Sequence, residues 1–279
     1  MLLKVDHVTL YSYDRPVRGV AQSHRLTPSR FDGQKAAHWS ASVTGGTRGG
    51  SFRAGAGDWI EGWTVKGPAA EIEVRVAGLV ETADLAGVLR GHRQQVPPEC
   101  YLRESPATRM DTALSKLASA ADCAPAGLSA AHALSLAVSN AAACRPGATH
   151  AKTTAPMCCA PSPARRDCRR VMCRSICSPR RTGFRTRRHI PRPRYSCQAL
   201  LPGLGWVGFD PANRCCPDER YIRLGSGLDA QEAAPIRGSA RSAGKESLSV
   251  QVAVQSEQQS GHGQILAGPD DVLCRPFAE

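Results

Sequence analysis

Apolar and polar residues alternate in two stretches of residues 1–95, as they do in half-buried β-strands. The apolar residues that share one parity are Leu3, Val5, Tyr11 and Tyr13 in the first stretch, and Ile72, Val74, Val76 and Val80 in the second. Dipeptides typical of turns interrupt the same part of the chain at Gly45-Gly46, Gly49-Gly50 and Gly67-Pro68. The pattern predicts an antiparallel β-sandwich or barrel.

After Pro97-Pro98 the apolar period changes from that of a strand to that of a helix. One helix is predicted behind Asp111, and a second is predicted to begin near Ser129 as its N-cap. Their apolar positions are Met110, Leu114, Leu117, Ala118 and Ala121 in the first helix, and Leu134, Ala137, Val138 and Ala141 in the second. A later strand is predicted by the alternating residues Leu248, Val250, Val252 and Val254. The order of strands, helices and strands predicts an α+β protein.

The net charge is concentrated in one segment. The chain has 279 residues, enough to bury a substantial core, and a formal net charge of +12. Twelve arginines and a single acid, Asp167, lie between Pro156 and Cys197, so this segment carries nearly all of that charge. Because it has few large apolar residues, the segment cannot form a core by itself.

The N-terminus lacks the features of a signal peptide. Lys4, Asp6 and His7 interrupt the region where such a peptide needs an apolar run, and no apolar run is long enough to cross a membrane. We therefore expect a cytoplasmic protein without membrane association, whose twelve cysteines are reduced thiols. Six of them lie in the charged segment: Cys158, Cys159, Cys168, Cys173, Cys177 and Cys197.

Three segments outside the charged region resemble bacterial transglutaminase-like enzymes, in the order in which the family has them. SFRAGAGDWIEGWTVKGPAAEIEVRVAGLVETADLAGVL, residues 51–89, resembles the family's N-terminal β domain. RPGATHAKTTA, residues 145–155, resembles the lead-in to the catalytic core. LPGLGWVGFDPANRCCPDERYIRLGSGLDAQEAAPIRG, residues 201–238, resembles the segment that carries the third catalytic residue. Their shared order makes the resemblance stronger than any single motif would.

The resemblance implies a fold and a domain organisation. We expect an α+β chain with an N-terminal antiparallel β-sandwich over residues 1–95 and a papain-like core over residues 96–255. Residues 256–279, rich in Gln, Ser and Gly, are expected to form a loose tail. The core would be incomplete, because residues 156–197 form an aberrant Arg/Cys-rich segment.

The family also implies a Cys-His-Asp triad that acts on a protein or peptide substrate without a cofactor. In such a site a thiolate attacks an amide carbonyl, histidine transfers the proton and the acid orients the imidazole. Asp210 in GWVGFDPAN matches the family's acid. Trp206 and Phe209 are expected to pack beside it, and Asn213 to fix the turn.

The resemblance ends at the other two triad positions. Where the family places its nucleophile at a helix N-terminus, this chain has PMCCAPSPARRDC, in which Cys158 and Cys159 are weak candidates. Where the family has its histidine strand, this chain has PRPRYSCQAL, and His189 is the one histidine nearby. We therefore expect a transglutaminase-like protein that lacks catalysis. Cys215 and Cys216 are expected to have a structural role.

A shift of reading frame across residues 156–197 would explain both losses. Plausible codons for Pro156–Ser178, read two bases along, can encode a segment ending in GHVSVYL, which resembles a strand of the family. GC-rich coding DNA read out of frame tends to give Arg, Pro, Ser and Cys, whereas Gln198-Ala199-Leu200 again resembles the family. The shifted reading has no nucleophile, so a deletion must be assumed as well. Loss of these core elements is expected to expose apolar surface and to cause instability or aggregation.

Two binding functions are alternatives for the charged segment. The residues with ligand atoms for zinc are Cys168, Cys173 and Cys177, with His189 or Cys197, but their spacings differ from those of structural zinc sites. Arginines of residues 165–194 could bind nucleic acid without sequence specificity, because only Phe184 and Tyr195 could stack on bases.

Overall fold

The structure is a computed structural model that describes residues 1–103, 105–109, 111–120, 127–141, 169–177, 194–241 and 244–257. For residues 169–177 it describes the backbone pairing. The strands are β1 Leu2–His24, β2 Gln34–Val43, β3 Gly46–Arg53, β4 Trp59–Thr82, β5 Arg169–Cys177, β6 Arg194–Leu201, β7 Gly205–Phe209, β8 Tyr221–Gly227, β9 Ile236–Ala240 and β10 Glu246–Glu257. The α-helices are α1 Thr112–Ala120 and α2 Leu128–Ala141, preceded by two 3-10 helices, Pro98–Leu102 and Pro106–Thr108.

The first sheet is six-stranded and antiparallel. Its order is β10-β1-β4-β2, with β3 also on β4 and β9 also on β1. The long strands β1 and β4 change register between Ser12 and Gly19, where two shifts interrupt their pairing. Opposite this bulge a Cβ on Gly67 would lie 2.0 Å from the Val17 carbonyl oxygen, so the backbones approach more closely than any other residue allows.

One core joins the two halves of this sheet on either side of the bulge. Val17 and Val65 from one half pack with Ile72, Val74 and Val76 from the other, and all five are buried. The expected antiparallel N-terminal sheet is confirmed. It is a single hydrogen-bonded sheet whose halves share a core, rather than two separate sheets.

One predicted turn is confirmed and two are wrong. Gly45 connects β2 and β3 with a φ of 65°, as the Gly45-Gly46 pair predicts. Gly49-Gly50 instead lies inside β3, at a register shift between Arg48 and Ser51. Gly67-Pro68 lies inside β4, opposite the bulge of β1. In both cases the glycine lies at an irregularity within a strand. Such irregularities favour glycine just as turns do, so the local sequence does not distinguish them.

The second sheet is four-stranded and antiparallel, with the order β7-β6-β5-β8. Helix α2 covers one face of β6 and β7, where Leu134 and Val138 pack on Ala199, Val207 and Phe209. Between described residues, β5 is an interior strand, paired with β6 on one side and β8 on the other.

The predicted helices exist, with corrections to α2. Its first residue is Leu128, directly after Gly127 with a φ of 84°, so Ser129 lies within the helix and is not its N-cap. Leu134 and Val138 are buried as expected, but Ala141 is exposed. Ser135 and Ser139 are buried instead, because α2 is covered on more than the apolar side that its sequence pattern indicates.

The two sheets meet along β8, and the end of the chain returns to the first sheet. Ile222 and Leu224 of β8 pack against Leu3, Val80 and Val252. Strand β10 pairs with the start of β1, and β9 pairs with its end, so residues 236–257 complete the first sheet. The division at residues 95 and 255 stays a prediction, as does the papain-like architecture of the core. Within the described residues, no helix is long and apolar enough to span a membrane.

Candidate functional site

Asp210, the predicted triad acid, lies immediately after β7 at the start of a tight turn. The apolar strand GWVGF ends there because Pro211, which follows, has no backbone N–H to extend a ladder. The Asp210 N–H donates to the Cys215 carbonyl oxygen at 2.8 Å, and the Cys215 N–H donates back at 3.3 Å. This pair of bonds closes the turn and fixes the backbone of Asp210.

Hydrogen bonds from Asn213 and Tyr221 orient the Asp210 carboxylate, which is fully buried. The Asn213 N–H donates to Oδ1 at 3.1 Å, and the Asn213 side-chain amide donates to Oδ2 at 2.6 Å. Tyr221 Oη–H, from the first residue of β8, donates to Oδ2 at 2.9 Å. The turn and the neighbouring strand thus hold the carboxylate in one orientation. The expected role of Asn213 in this turn agrees with these bonds.

The turn is also attached to helix α2. Arg214, with a φ of 53°, donates from Nε to Ser139 Oγ at 3.0 Å and from Nη2 to Asn140 Oδ1 at 2.9 Å. A positive φ is uncommon for arginine, and here it accompanies two side-chain bonds to the last turns of α2. The acid is therefore supported by β7, β8 and α2 together.

A histidine that the sequence analysis did not single out lies beside this strand. The His132 ring of α2 meets Phe209 edge to face, with the ring centroids 5.2 Å apart. Burial lowers the pKa of His132, so its imidazole is neutral at neutral pH. A single histidine in a helix carries no local signal for such a contact, because the contact depends on how α2 packs on the sheet.

Trp206 does not share this cluster, although it was expected to pack beside Asp210. Its ring meets Tyr101 edge to face at 5.8 Å, in a separate cluster near the first 3-10 helix. Phe209 does lie next to the acid and is fully buried. The alternation of side chains along β7 explains the difference, since Trp206 and Phe209 are an odd number of positions apart and lie on opposite faces.

The remaining predicted site residues cannot be compared with the fold. Cys158, Cys159 and His189 lie outside the described residues. So do Cys168 and the greater part of the segment 156–197. The structure therefore brings Asp210 together with Asn213 and Tyr221, while the predicted nucleophile and base stay predictions.

The two cysteines beside the turn are poor nucleophiles. Cys215 is fully buried, with its sulfur 3.5 Å from Tyr221 Oη. Burial, and next the charge of Asp84, raise the pKa of the Cys216 thiol to about 11, so little thiolate forms at neutral pH. Both observations fit the structural role expected for this pair. Among the described side chains no group of three or more potential ligands could hold a metal ion.

A buried ion pair connects β8 to the first sheet. Arg223 Nη1 donates to Asp58 Oδ1 at 2.9 Å, and both side chains are almost completely buried. Ser226 donates to Asp58 Oδ2 through its N–H at 2.6 Å and its hydroxyl at 2.9 Å. Gln34 accepts from the Arg223 N–H at 2.7 Å and donates to the Arg223 carbonyl oxygen at 2.8 Å. Because Tyr221 is on the same strand, these bonds fix the strand that orients Asp210.

Comparisons with known proteins agree with this fold. Residues 3–81 match the model of the bacterial transglutaminase-like N-terminal region. Over 98% of this chain and 96% of the other, the fold resembles the solved structure of "a Putative Cysteine Protease from Cytophaga hutchinsonii", with a TM-score of 0.65 and 13% identity. At that identity the likeness concerns the fold alone. The comparison with curated proteins gave no match. The family model thus covers the N-terminal region, and the structural neighbour adds a likeness of fold over nearly the whole chain.

Proposed function

We propose that this chain is a transglutaminase-like protein of the Cys-His-Asp class that is catalytically inactive with its present sequence. The family assignment rests on the matched N-terminal region and on the structural neighbour. The assignment of Asp210 as the triad acid rests on its place after β7 and on its three hydrogen bonds. The proposed lack of catalytic activity rests on the arginine-rich sequence of β5.

The chemistry of the class defines what Asp210 would do in an intact site. The cysteine thiolate attacks an amide carbonyl, an amine leaves with a proton from histidine, and a thioester remains. An amine or water then cleaves the thioester, which gives acyl transfer or hydrolysis. The acid acts by orienting the imidazole, so its own orientation must be fixed. Asn213 and Tyr221 supply that orientation.

The register of β5 supports the loss of activity. Arg170 pairs with Ala199, and Met172 pairs with Cys197, on a ladder whose β6 residues are buried beneath α2. Directly paired residues of an antiparallel ladder share one face of the sheet, so an apolar residue is expected at position 170. Arginine is almost never fully buried unless it is paired. The sequence of β5 therefore does not suit its place between β6 and β8.

An out-of-frame segment explains this mismatch. The shifted reading proposed for residues 156–178 ends in the apolar-alternating GHVSVYL, close to where β5 lies at residues 169–177. Sequencing the gene across codons 155–200 and reading all three frames tests this directly. If a shifted frame gives family-like strands, the segment is a lesion. If none does, the frame proposal is wrong and the Arg/Cys-rich sequence is the one that selection retained.

Thiol reactivity tests the inactivity itself. The protein is alkylated with iodoacetamide at neutral pH, and the rate at each of the twelve cysteines is followed by mass spectrometry of its peptides. The exposed Cys100 serves as an internal reference. We expect no cysteine to react more than about tenfold faster than Cys100, because a catalytic thiol is recognised by its thiolate fraction. Neither amine incorporation into casein nor peptide hydrolysis should exceed the background.

Substitution of the acid provides the control. A cysteine that reacts about a hundredfold faster than Cys100, and slows in Asp210→Asn, would show that an active triad is present. The exposed Asp32→Asn is the matched control, since it removes the same charge away from the site. A fast cysteine whose rate depends on Asp210 but not on Asp32 would overturn the proposal.

A further inference from the structure

An open groove of about 900 Å³ lies on the first sheet, where β1 bulges and β9 ends. It forms because the bulge interrupts the pairing of β1 and β4 between Ser12 and Gly19. The chain after β9 follows the same bulge, since the Arg18 N–H donates to the Arg241 carbonyl oxygen at 3.1 Å and the Arg241 N–H donates to the Gly19 carbonyl oxygen at 2.9 Å. Backbone hydrogen bonds therefore fix the position of the groove.

Three arginines line this groove, and none of the described residues in its lining is acidic. Arg15, Arg18 and Arg241 are all exposed. None of the ion pairs between described residues involves any of the three. Asp14, which precedes Arg15, accepts from the Lys245 N–H through Oδ1 at 2.7 Å. The lining formed by the described residues thus carries three positive charges.

The rest of the lining favours a peptide over other anions. Pro16 and Ala21, both exposed, contribute apolar surface, and Ser239 contributes a hydroxyl group. A bare phosphate chain has no apolar groups to place on such a surface. As far as the chain is described, the lining has no aromatic side chain on which a nucleobase could stack, which disfavours single-stranded nucleic acid. Guanidinium groups bind carboxylates through paired N–H donors.

We propose that this groove binds an extended peptide segment in which acidic residues alternate with small apolar ones. The arginines bind the carboxylates, and the exposed Pro16 and Ala21 contact the intervening side chains. This interaction is independent of the triad, because it uses the first sheet at a bulge remote in sequence from the turn of Asp210. Its failure would leave the proposed function unchanged.

Binding of a fluorescein-labelled peptide that alternates Glu and Ala tests the proposal by fluorescence anisotropy on the full chain. The groove variant is Arg15→Gln, Arg18→Gln and Arg241→Gln. The matched control is Arg90→Gln, Arg93→Gln and Arg109→Gln, which removes three positive charges from exposed positions elsewhere. The control is needed because the arginines of residues 165–194 also attract acidic probes.

We expect the groove variant to bind the peptide about tenfold more weakly, and the control to change affinity by less than about twofold. Equal losses in both variants would show that net charge alone attracts the peptide, and would overturn the proposal. Oligothymidylate and tripolyphosphate are tested in parallel. If either depends on the groove arginines while the peptide does not, the proposed occupant is wrong. Circular dichroism of both variants excludes a general loss of folding as the cause.

Discussion

The two sheets differ in how well the sequence of an interior strand suits its position. In the first sheet β4 lies between β1 and β2, and its Ile72 and Val74 are at most 1% exposed. In the second sheet β5 lies between β6 and β8, yet Arg170 pairs with the buried Ala199. Backbone hydrogen bonds place a strand in a sheet whatever its side chains are, but only suitable side chains make that place stable. In the second sheet the backbone pairing thus sets an arginine opposite a buried alanine.

The junction of the sheets gives the largest expected effect. Asp58→Ala leaves the Arg223 guanidinium buried without its carboxylate, which costs about 3–5 kcal/mol of unfolding free energy. The matched control is Asp6→Ala, which removes the exposed partner of Arg75 and costs less than about 1 kcal/mol. Denaturant unfolding of both variants measures the difference. Similar losses would mean that the second sheet contributes little to stability.

The core of the first sheet should make stability fall in acid. Burial lowers the pKa of His24 to about 4 from its usual 6.5. As pH falls, the unfolded chain binds this proton first, so the contribution is complete above pH 6.5 and is lost between pH 6.5 and about 4. The loss amounts to about 3 kcal/mol.

Substitution identifies the histidine responsible. His24→Gln should flatten the dependence of unfolding free energy on pH in this window, whereas the exposed His38→Gln should leave it unchanged. An unchanged slope in the His24 variant would contradict the assignment of the acid sensitivity to the first sheet.

Repair of the mismatched strand tests the comparison directly. Arg170→Val places an apolar residue opposite Ala199 and should raise the unfolding free energy by about 1–2 kcal/mol. Arg237→Val, on the exposed face of the edge strand β9, should change it by less than about 0.5 kcal/mol. Thermal unfolding followed by circular dichroism distinguishes the two. Destabilisation by Arg170→Val would show that the arginine suits this position.

An effect of similar size is expected at the turn of Asp210. Tyr221→Phe removes a donor to the buried carboxylate and should cost about 1–2 kcal/mol, measured by denaturant unfolding. Ser12→Ala, which removes an exposed hydrogen bond to Glu71, should cost less than about 0.5 kcal/mol. A neutral Tyr221 variant would mean that the bond from Tyr221 is not needed to hold the Asp210 carboxylate.

The predictions from sequence were most accurate for features that depend on a single strand or helix. The alternation of Ile72, Val74 and Val76 predicted a strand with one buried face, and the structure has both. Glycine pairs were less informative, because Gly67 serves a close approach of two backbones rather than a turn. The resemblance to the family pointed to Asp210 and Asn213, but not to Tyr221, which lies in the resembling segment 201–238 without a recognisable signal of its own.

The sequence by itself determined the period of each element, the concentration of charge in residues 156–197 and the candidate acid, because each depends on neighbouring residues along the chain. The tertiary structure alone decided that β9 and β10 complete the first sheet. It also decided that Asp58 meets Arg223 and that Tyr221 reaches Asp210. Contacts between distant segments depend on how the chain connects its strands and on which face of each sheet is covered. A local pattern of apolar residues specifies neither the connections nor the covered face.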